Sequence, residues 1–168
     1  MLNADAFVNT QTFTEITADK AKCPYTHSPF KVLKDMSSKK KGKFFERMYE
    51  EYMSGQGFKV EKPENSDHDR KVNTRKKEIK GSFLWGDGTH FRWQQIRPDQ
   101  DYDDVVFIAV YPDRVEFYEA EKATVREAVE VQDDKGNWIY NQHGGKRVKS
   151  GTYFLDGFPS DFAWLKAV

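Results

Sequence analysis

Residues 66–82, SDHDRKVNTRKKEIKGS, set carboxylates and an amine at spacings that could hold a cation against a phosphate. Glu78 and Lys80 are two residues apart, and on a strand that spacing means one face, so a carboxylate and an ammonium stand side by side. Asp69 lies nine residues before Glu78, a separation that a hairpin closes by laying the two across neighbouring strands. With the backbone carbonyl of Ile79 they make a set of hard oxygen donors. Such a set suits Mg²⁺, which keeps several waters and shares its shell with a substrate phosphate. Lys80 on the same face would neutralise charge developing on that phosphate or help orient the attacking water. The bland alternative is a same-face ion pair on a solvated edge strand. No zinc-type set competes, because His27, His68, His90 and His143 are scattered and Cys23 is the only cysteine.

This chemistry needs DRKVN and KKEIKGSFLW to be strands joined by a turn near Asn73-Thr74, and Ile79, Phe83, Leu84 and Trp85 give the second a core-like reading. Upstream, KFFERMYEEYMSGQG is the clearest helix, with Phe44, Phe45, Met48, Tyr49, Tyr52 and Met53 on one side and Gly55 and Gly57 ending it. A short helix fits PFKVLKDM, and FKVEKP reads as a strand closed by Pro63. HFRWQQIR fits helix or strand. VVFIAVYP is the most apolar run and predicts a central strand buried on both faces. RVEFYEAEK should pair beside it through a Pro112-Asp113 turn, with a helix over ATVREAVEVQ to follow. Residues 137–158 read as a loop-rich hairpin and PSDFAWLKA as a closing helix. The order predicts one α/β domain over residues 1–168, a mixed sheet flanked by helices.

Composition bounds the partners. Thirteen Phe, eight Tyr and four Trp in 168 residues supply bulky core material. The N-terminus lacks a signal-peptide pattern, no stretch reaches membrane-spanning length, and a lone cysteine suits a reducing cytoplasm; the expectation is a cytoplasmic protein with no membrane partner. The net charge is zero, but residues 31–80 carry 15 Lys+Arg against 9 Asp+Glu. A positive excess centred on the candidate site is the footprint of a phosphate-binding surface.

The pattern resembles the PD-(D/E)xK nuclease superfamily, particularly its type II restriction endonucleases. Glu46 in GKFFERMYEEY, Asp69 in SDHDRKV, and Glu78 with Lys80 in KKEIKGS carry the resemblance, supported by FRWQQIRPDQDYDDVVFIAVYPDRVEFY downstream. It covers about residues 40–120. The proline that commonly precedes the catalytic aspartate is missing, which keeps Asp67 open as a ligand, though hairpin spacing favours Asp69. The resemblance implies a restriction-endonuclease-like fold and hydrolysis of double-stranded DNA to 5′-phosphate and 3′-hydroxyl ends. It implies Mg²⁺, with Mn²⁺ able to substitute, held by Asp69, Glu78 and the Ile79 carbonyl, and a helical acid, Glu46, that binds or positions it. Lys80 completes the catalytic set. Glu46 borders the apolar helix face; paired with Lys43 it would be an ordinary surface acid.

For DNA, Lys39, Lys40, Lys41 and Lys43 at the start of the long helix are phosphate candidates. Gln94, and less so Gln95, could touch DNA or support Lys80, and an amide can read adenine. The loop with Asn141, Gln142, His143, Lys146 and Arg147 has the donors of a base-reading element within a recognition region at 132–168. Cutting both strands at a symmetric site calls for two centres, hence a homodimer. A repair or branched-DNA nuclease, a non-catalytic nucleic-acid-binding module, and an α/β domain with no nucleic-acid role remain as alternatives.

Overall fold

The most apolar run of the chain becomes the axis of the sheet, buried at all seven of its positions from Asp104 to Val110. The computed structural model describes residues 2–3, 23–85, 88–132, 134–136, 138–139 and 152–168. Its strands are β1 (Leu2–Asn3), β2 (Val60–Glu61), β3 (Arg70–Val72), β4 (Arg75–Trp85), β5 (His90–Ile96), β6 (Asp104–Val110), β7 (Arg114–Glu121), β8 (Val131–Gln132), β9 (Trp138–Ile139), β10 (Tyr153–Gly157) and β11 (Lys166–Ala167). The helices are α1 (Lys31–Asp35), α2 (Ser38–Gly55) and α3 (Lys122–Val129). Nine of the described strands form one sheet with the path β1-β7-β6-β4-β3-β2, and β5 and β10 branch from β4 while β11 adds to β7. β4 and β6 run parallel, and β6 and β7 antiparallel. The result is the mixed α/β single domain that the sequence predicts.

The site hairpin forms where expected. Asn73 and Thr74 both take the left-handed conformation, φ 48° and 71°, which gives a two-residue turn the twist of its flanking strands. Register then sets Arg70 opposite Lys77. Along β4, Ile79, Gly81 and Phe83 face α2, and Glu78, Lys80 and Ser82 face the other way. On the α2 side the Phe45 ring lies on Gly81, so close that a Cβ there would fall inside the ring's contact radius, and Phe45 also meets Phe83 at 5.9 Å. On the opposite side β5 folds over the sheet. Its Trp93 packs edge-on against Phe107 at 5.4 Å and donates Nε1–H to the Ile108 carbonyl at 3.0 Å. At the outer end of the parallel pair, Asp104 accepts from Arg75 and Lys77, and Lys77 also reaches Glu119 at 2.9 Å.

Several expectations change. HFRWQQIR is a strand whose buried residues are Phe91, Trp93 and Ile96. That spacing of two then three suits neither regular period, because Gln95, at φ 58°, puts a bulge into the strand. The helix over ATVREAVEVQ stops at Val129, and Val131–Gln132 pairs with Trp138–Ile139. Of the hairpin expected across 137–158, residues 137 and 140–151 lie outside the described residues; among the described ones Trp138–Ile139 pairs with β8, and Tyr153–Gly157 pairs with β5, where Tyr153 and Leu155 are buried. No closing helix forms over PSDFAWLKA. Pro159–Asp161 makes one 3₁₀ turn, capped by the Asp161 carboxylate on the Phe158 N–H, and Lys166–Ala167 then pairs with the exposed edge of β7. Trp85 is not core, being 42% exposed at the end of β4. No described helix is long and apolar enough to cross a membrane.

Candidate active site and the cleft beside it

Asp69 stands just before β3 and extends the hairpin ladder with its side chain. Its N–H donates to the Lys77 carbonyl at 2.9 Å, and its Oδ2 accepts from the Ile79 N–H at 2.7 Å. A strand residue directs N–H and C=O toward the same neighbour. The Ile79 carbonyl is therefore turned to the edge where the Asp69 carboxylate lies. Lys80 Nζ is 2.6 Å from Glu78 Oε1, with side chains 15% and 7% exposed. The pair is thus largely removed from water, unlike the solvated strand pair of the bland alternative.

Glu46 reaches the same place from α2 through an arginine that the sequence did not single out. Arg70 Nη1 lies 3.0 Å from Glu46 and 2.7 Å from the Asp69 carbonyl, while its Nε lies 2.9 Å from Glu50. Glu46 thus pairs across elements and not with Lys43. Burial, then the negative charge of Asp69, pushes the Glu46 carboxyl above its ordinary range, against the opposing pull of Arg70. Burial likewise raises Glu78; Lys80 opposes the rise and Asp69 adds to it. Three acids share one region, with Asp69 between the other two, and two of them hold protons more tightly than usual. Asp67 donates its backbone N–H to Asn65 Oδ1 at 3.0 Å in the loop before β3. No three or more His, Cys, Asp or Glu among the described residues converge as a ready ligand cage. Each site carboxylate is instead turned onto a donor of the protein itself.

Beside Lys80 the edge of β4 opens. β3 pairs with it only as far as Lys77, and β5 pairs with it at Leu84 and Trp85. The gap is a cleft of about 500 Å³, roofed by the first turns of α2 and walled by β5. Four cations line it, Lys34, Lys41, Lys80 and Arg92, and no acid is among its described lining residues. Lys41 sits over the Phe83 ring at 5.8 Å and donates to the Lys34 carbonyl at 3.2 Å. The first turn of α2 carries no acid, so its lysines stand at the positive end of a helix dipole, an arrangement that an anion would relieve. Gln94 and Gln95 line the cleft, turned there by the bulge.

Of the sequence candidates, the fold brings together Asp69, Ile79, Glu78 and Lys80, links Glu46 from the α2 side to the Asp69 backbone through Arg70, and sets Lys41, Gln94 and Gln95 along the adjoining cleft. Lys39, Lys40 and Lys43 are exposed on α2 outside its lining. Asn141, Gln142, His143, Lys146 and Arg147 lie outside the described residues. Reading the sequence missed Arg70, Lys34, Arg92 and the exposure of Trp85. Only the basic excess of residues 31–80 pointed toward the first two. No family model, curated protein or solved structure matches this chain.

Proposed function

We propose that this chain is a Mg²⁺-dependent endodeoxyribonuclease with a restriction-endonuclease-like fold, hydrolysing double-stranded DNA at a specific sequence. The observation that carries the reading is Lys80, which lines a cleft of cations while it is held 2.6 Å from Glu78, beside the contact of Asp69 with Ile79. Acids that would hold a metal and bases that would hold phosphates meet at one boundary.

By donor type the set suits Mg²⁺, with each carboxylate now turned onto a donor of the protein. Asp69, Glu78 and the Ile79 carbonyl are hard oxygens, and a buried carboxylate with raised proton affinity gains from a second cation. Glu46, which shares Arg70 with the Asp69 backbone, would join or position the set. Mn²⁺ would substitute in the same donors. The chemistry supplied by the ion when bound is polarisation of the phosphate and a more acidic attacking water. The protein's own groups do the rest. Arg70 holds Glu46 and the Asp69 backbone in place. Lys80, kept near Glu78 by their ion pair, offers its ammonium to a phosphate oxygen as charge builds on it. Lys41 and Lys34 take flanking phosphates. A homodimer with one centre for each strand, working in the cytoplasm, belongs to the same proposal.

The test is incubation with unmethylated phage DNA, in Mg²⁺ or in EDTA, beside Asp69→Asn. Asparagine keeps an oxygen to accept the Ile79 N–H, so the fold is retained while a charged donor is lost. Discrete metal-dependent fragments that the variant does not produce support a site-specific endonuclease. A smear directs the reading to a repair or structure-directed nuclease. DNA left intact throughout, but bound in a salt-dependent way, leaves a binding module, and no binding removes the nucleic-acid role.

A further inference from the structure

We infer that the cleft takes an unpaired strand of the DNA, and that Trp85 is the platform on which an unpaired base stacks. The inference rests on the metal-dependent nuclease part of that reading and directs its substrate toward duplex with an unpaired strand, since it places this strand next to the phosphate that Lys80 faces.

Trp85 ends β4 directly after two buried residues, Phe83 and Leu84, yet stays 42% exposed. The indole is not loose. The Arg92 guanidinium lies 4.9 Å from its ring, and the His90 ring stacks on it at 6.4 Å and 24°. Arg92 is itself fixed, 4.6 Å from the Phe154 ring and 2.6 Å from Asp156. A large aromatic held in position and left open to water at the lip of a basic cleft has the features of a stacking platform, because every base offers a π-face and a backbone that cations can track.

The dimensions agree. A cleft of about 500 Å³ has the scale of a nucleotide-sized ligand. A duplex, whose major groove alone is about 12 Å wide, can lie across such a cleft but not within it. Lys80 and Trp85 are five residues apart on one strand, about 17 Å at the usual rise, so several nucleotides separate the scissile phosphate from the stacked base. Gln95 supports the same assignment. It is neither glycine nor asparagine, yet it takes a left-handed φ of 58° inside a strand, a conformation that collects at ligand sites, and there it faces the cleft.

The test is fluorescence anisotropy with the full chain carrying Asp69→Asn, in Mg²⁺, on three labelled DNAs of one sequence: a blunt duplex, the duplex with an unpaired tail, and the single strand. Tailed and single-stranded DNA should bind at least about 5-fold tighter than the blunt duplex, the lower end of what one stacked base contributes. Adding Trp85→Ala should erase that preference, about 5- to 150-fold, and leave blunt-duplex affinity unchanged; Trp85→Phe should keep most of it. Unaltered melting of each variant checks the fold. Cleavage by the Asp69 chain runs in parallel. Equal binding of blunt and tailed DNA, or a Trp85→Ala loss common to both, overturns the platform, and metal-dependent cutting in those lanes leaves the nuclease reading standing. A tail preference that depends on Trp85 with no cutting in Mg²⁺ or Mn²⁺ does the reverse. No binding to any of the three overturns both.

Discussion

Replacing Lys80 by alanine should separate stability, catalysis and binding in one variant. In the native chain the ammonium lies 2.6 Å from a carboxylate whose side chain is 7% exposed. Removing one partner of a buried ion pair costs about 3–5 kcal/mol, because the other is left charged and dry. Glu78 has two ways to soften the loss. Arg97 also favours its charged form, and burial already disposes it to take up a proton. The lower end, about 3 kcal/mol, is therefore expected. For a chain of this length that lowers the melting temperature by about 6–12 °C, which scanning calorimetry reads directly. Adding Glu78→Gln to Lys80→Ala removes the orphaned charge and should recover most of the drop. Millimolar Mg²⁺ should recover part of it in the single variant, since a cation among the carboxylates replaces the missing ammonium. Cleavage should fall by about 10²–10³, the usual loss for one preorganised charge-stabilising donor, while DNA affinity changes by no more than one phosphate contact. Melting within about 2 °C of the native chain would refute the stability argument, and cutting at the native rate would refute the catalytic one, because the first means that the close pair carries no stability and the second that Lys80 carries no chemistry.

Three further outcomes follow from the same structure. Gly81→Ala drives a Cβ into the Phe45 ring and should cost about 1–3 kcal/mol in urea unfolding, with Phe45→Ala in the same chain relieving it; native stability of the single variant would count against the packing described. Asp104 is buried, which alone would raise its carboxyl, but hydrogen bonds from Arg75 and Lys77 outweigh that and hold it below the ordinary range. Its stabilisation is then present above the unfolded carboxyl's pKa of about 3.9 and lost as pH falls through the lower folded value. Asp104→Asn should accordingly be weaker than native by about 3 kcal/mol at neutral pH, and a gap still undiminished in strong acid argues against the assignment. Lys41→Ala should reduce the slope of log affinity against log salt by about one; an unchanged slope removes Lys41 from the phosphate path.

The hairpin was legible because its logic is local. Period-two patterning, a turn at Asn73-Thr74 and a nine-residue separation were sufficient to predict that Asp69 and the Glu78 edge meet. The axis at Asp104–Val110 was legible because seven buried positions leave no other role for so apolar a run. What escaped depends on distant parts of the chain. Arg70 looked like one more charge in a basic turn, and only the docking of α2 turns it into the link between Glu46 and Asp69. Trp85 sits in a run with Phe83 and Leu84 that reads as core; its exposure follows from where β4 ends relative to β5. The C-terminal segment had helical spacing at Phe162 and Leu165, but the unpaired edge of β7 offered a strand partner instead.

β5 also bears on how this protein could change over evolutionary time. The strand is two-sided: Phe91, Trp93 and Ile96 are fully buried, while Gln94 and Gln95 are exposed in the cleft wall. The bulge at Gln95 keeps the two sets apart, returning Ile96 to the interior after two outward residues. Substitutions at 94 can therefore sample new ligand preferences without disturbing the interior, whereas position 95, held at a left-handed φ, should accept chiefly residues that tolerate it, such as glycine and asparagine.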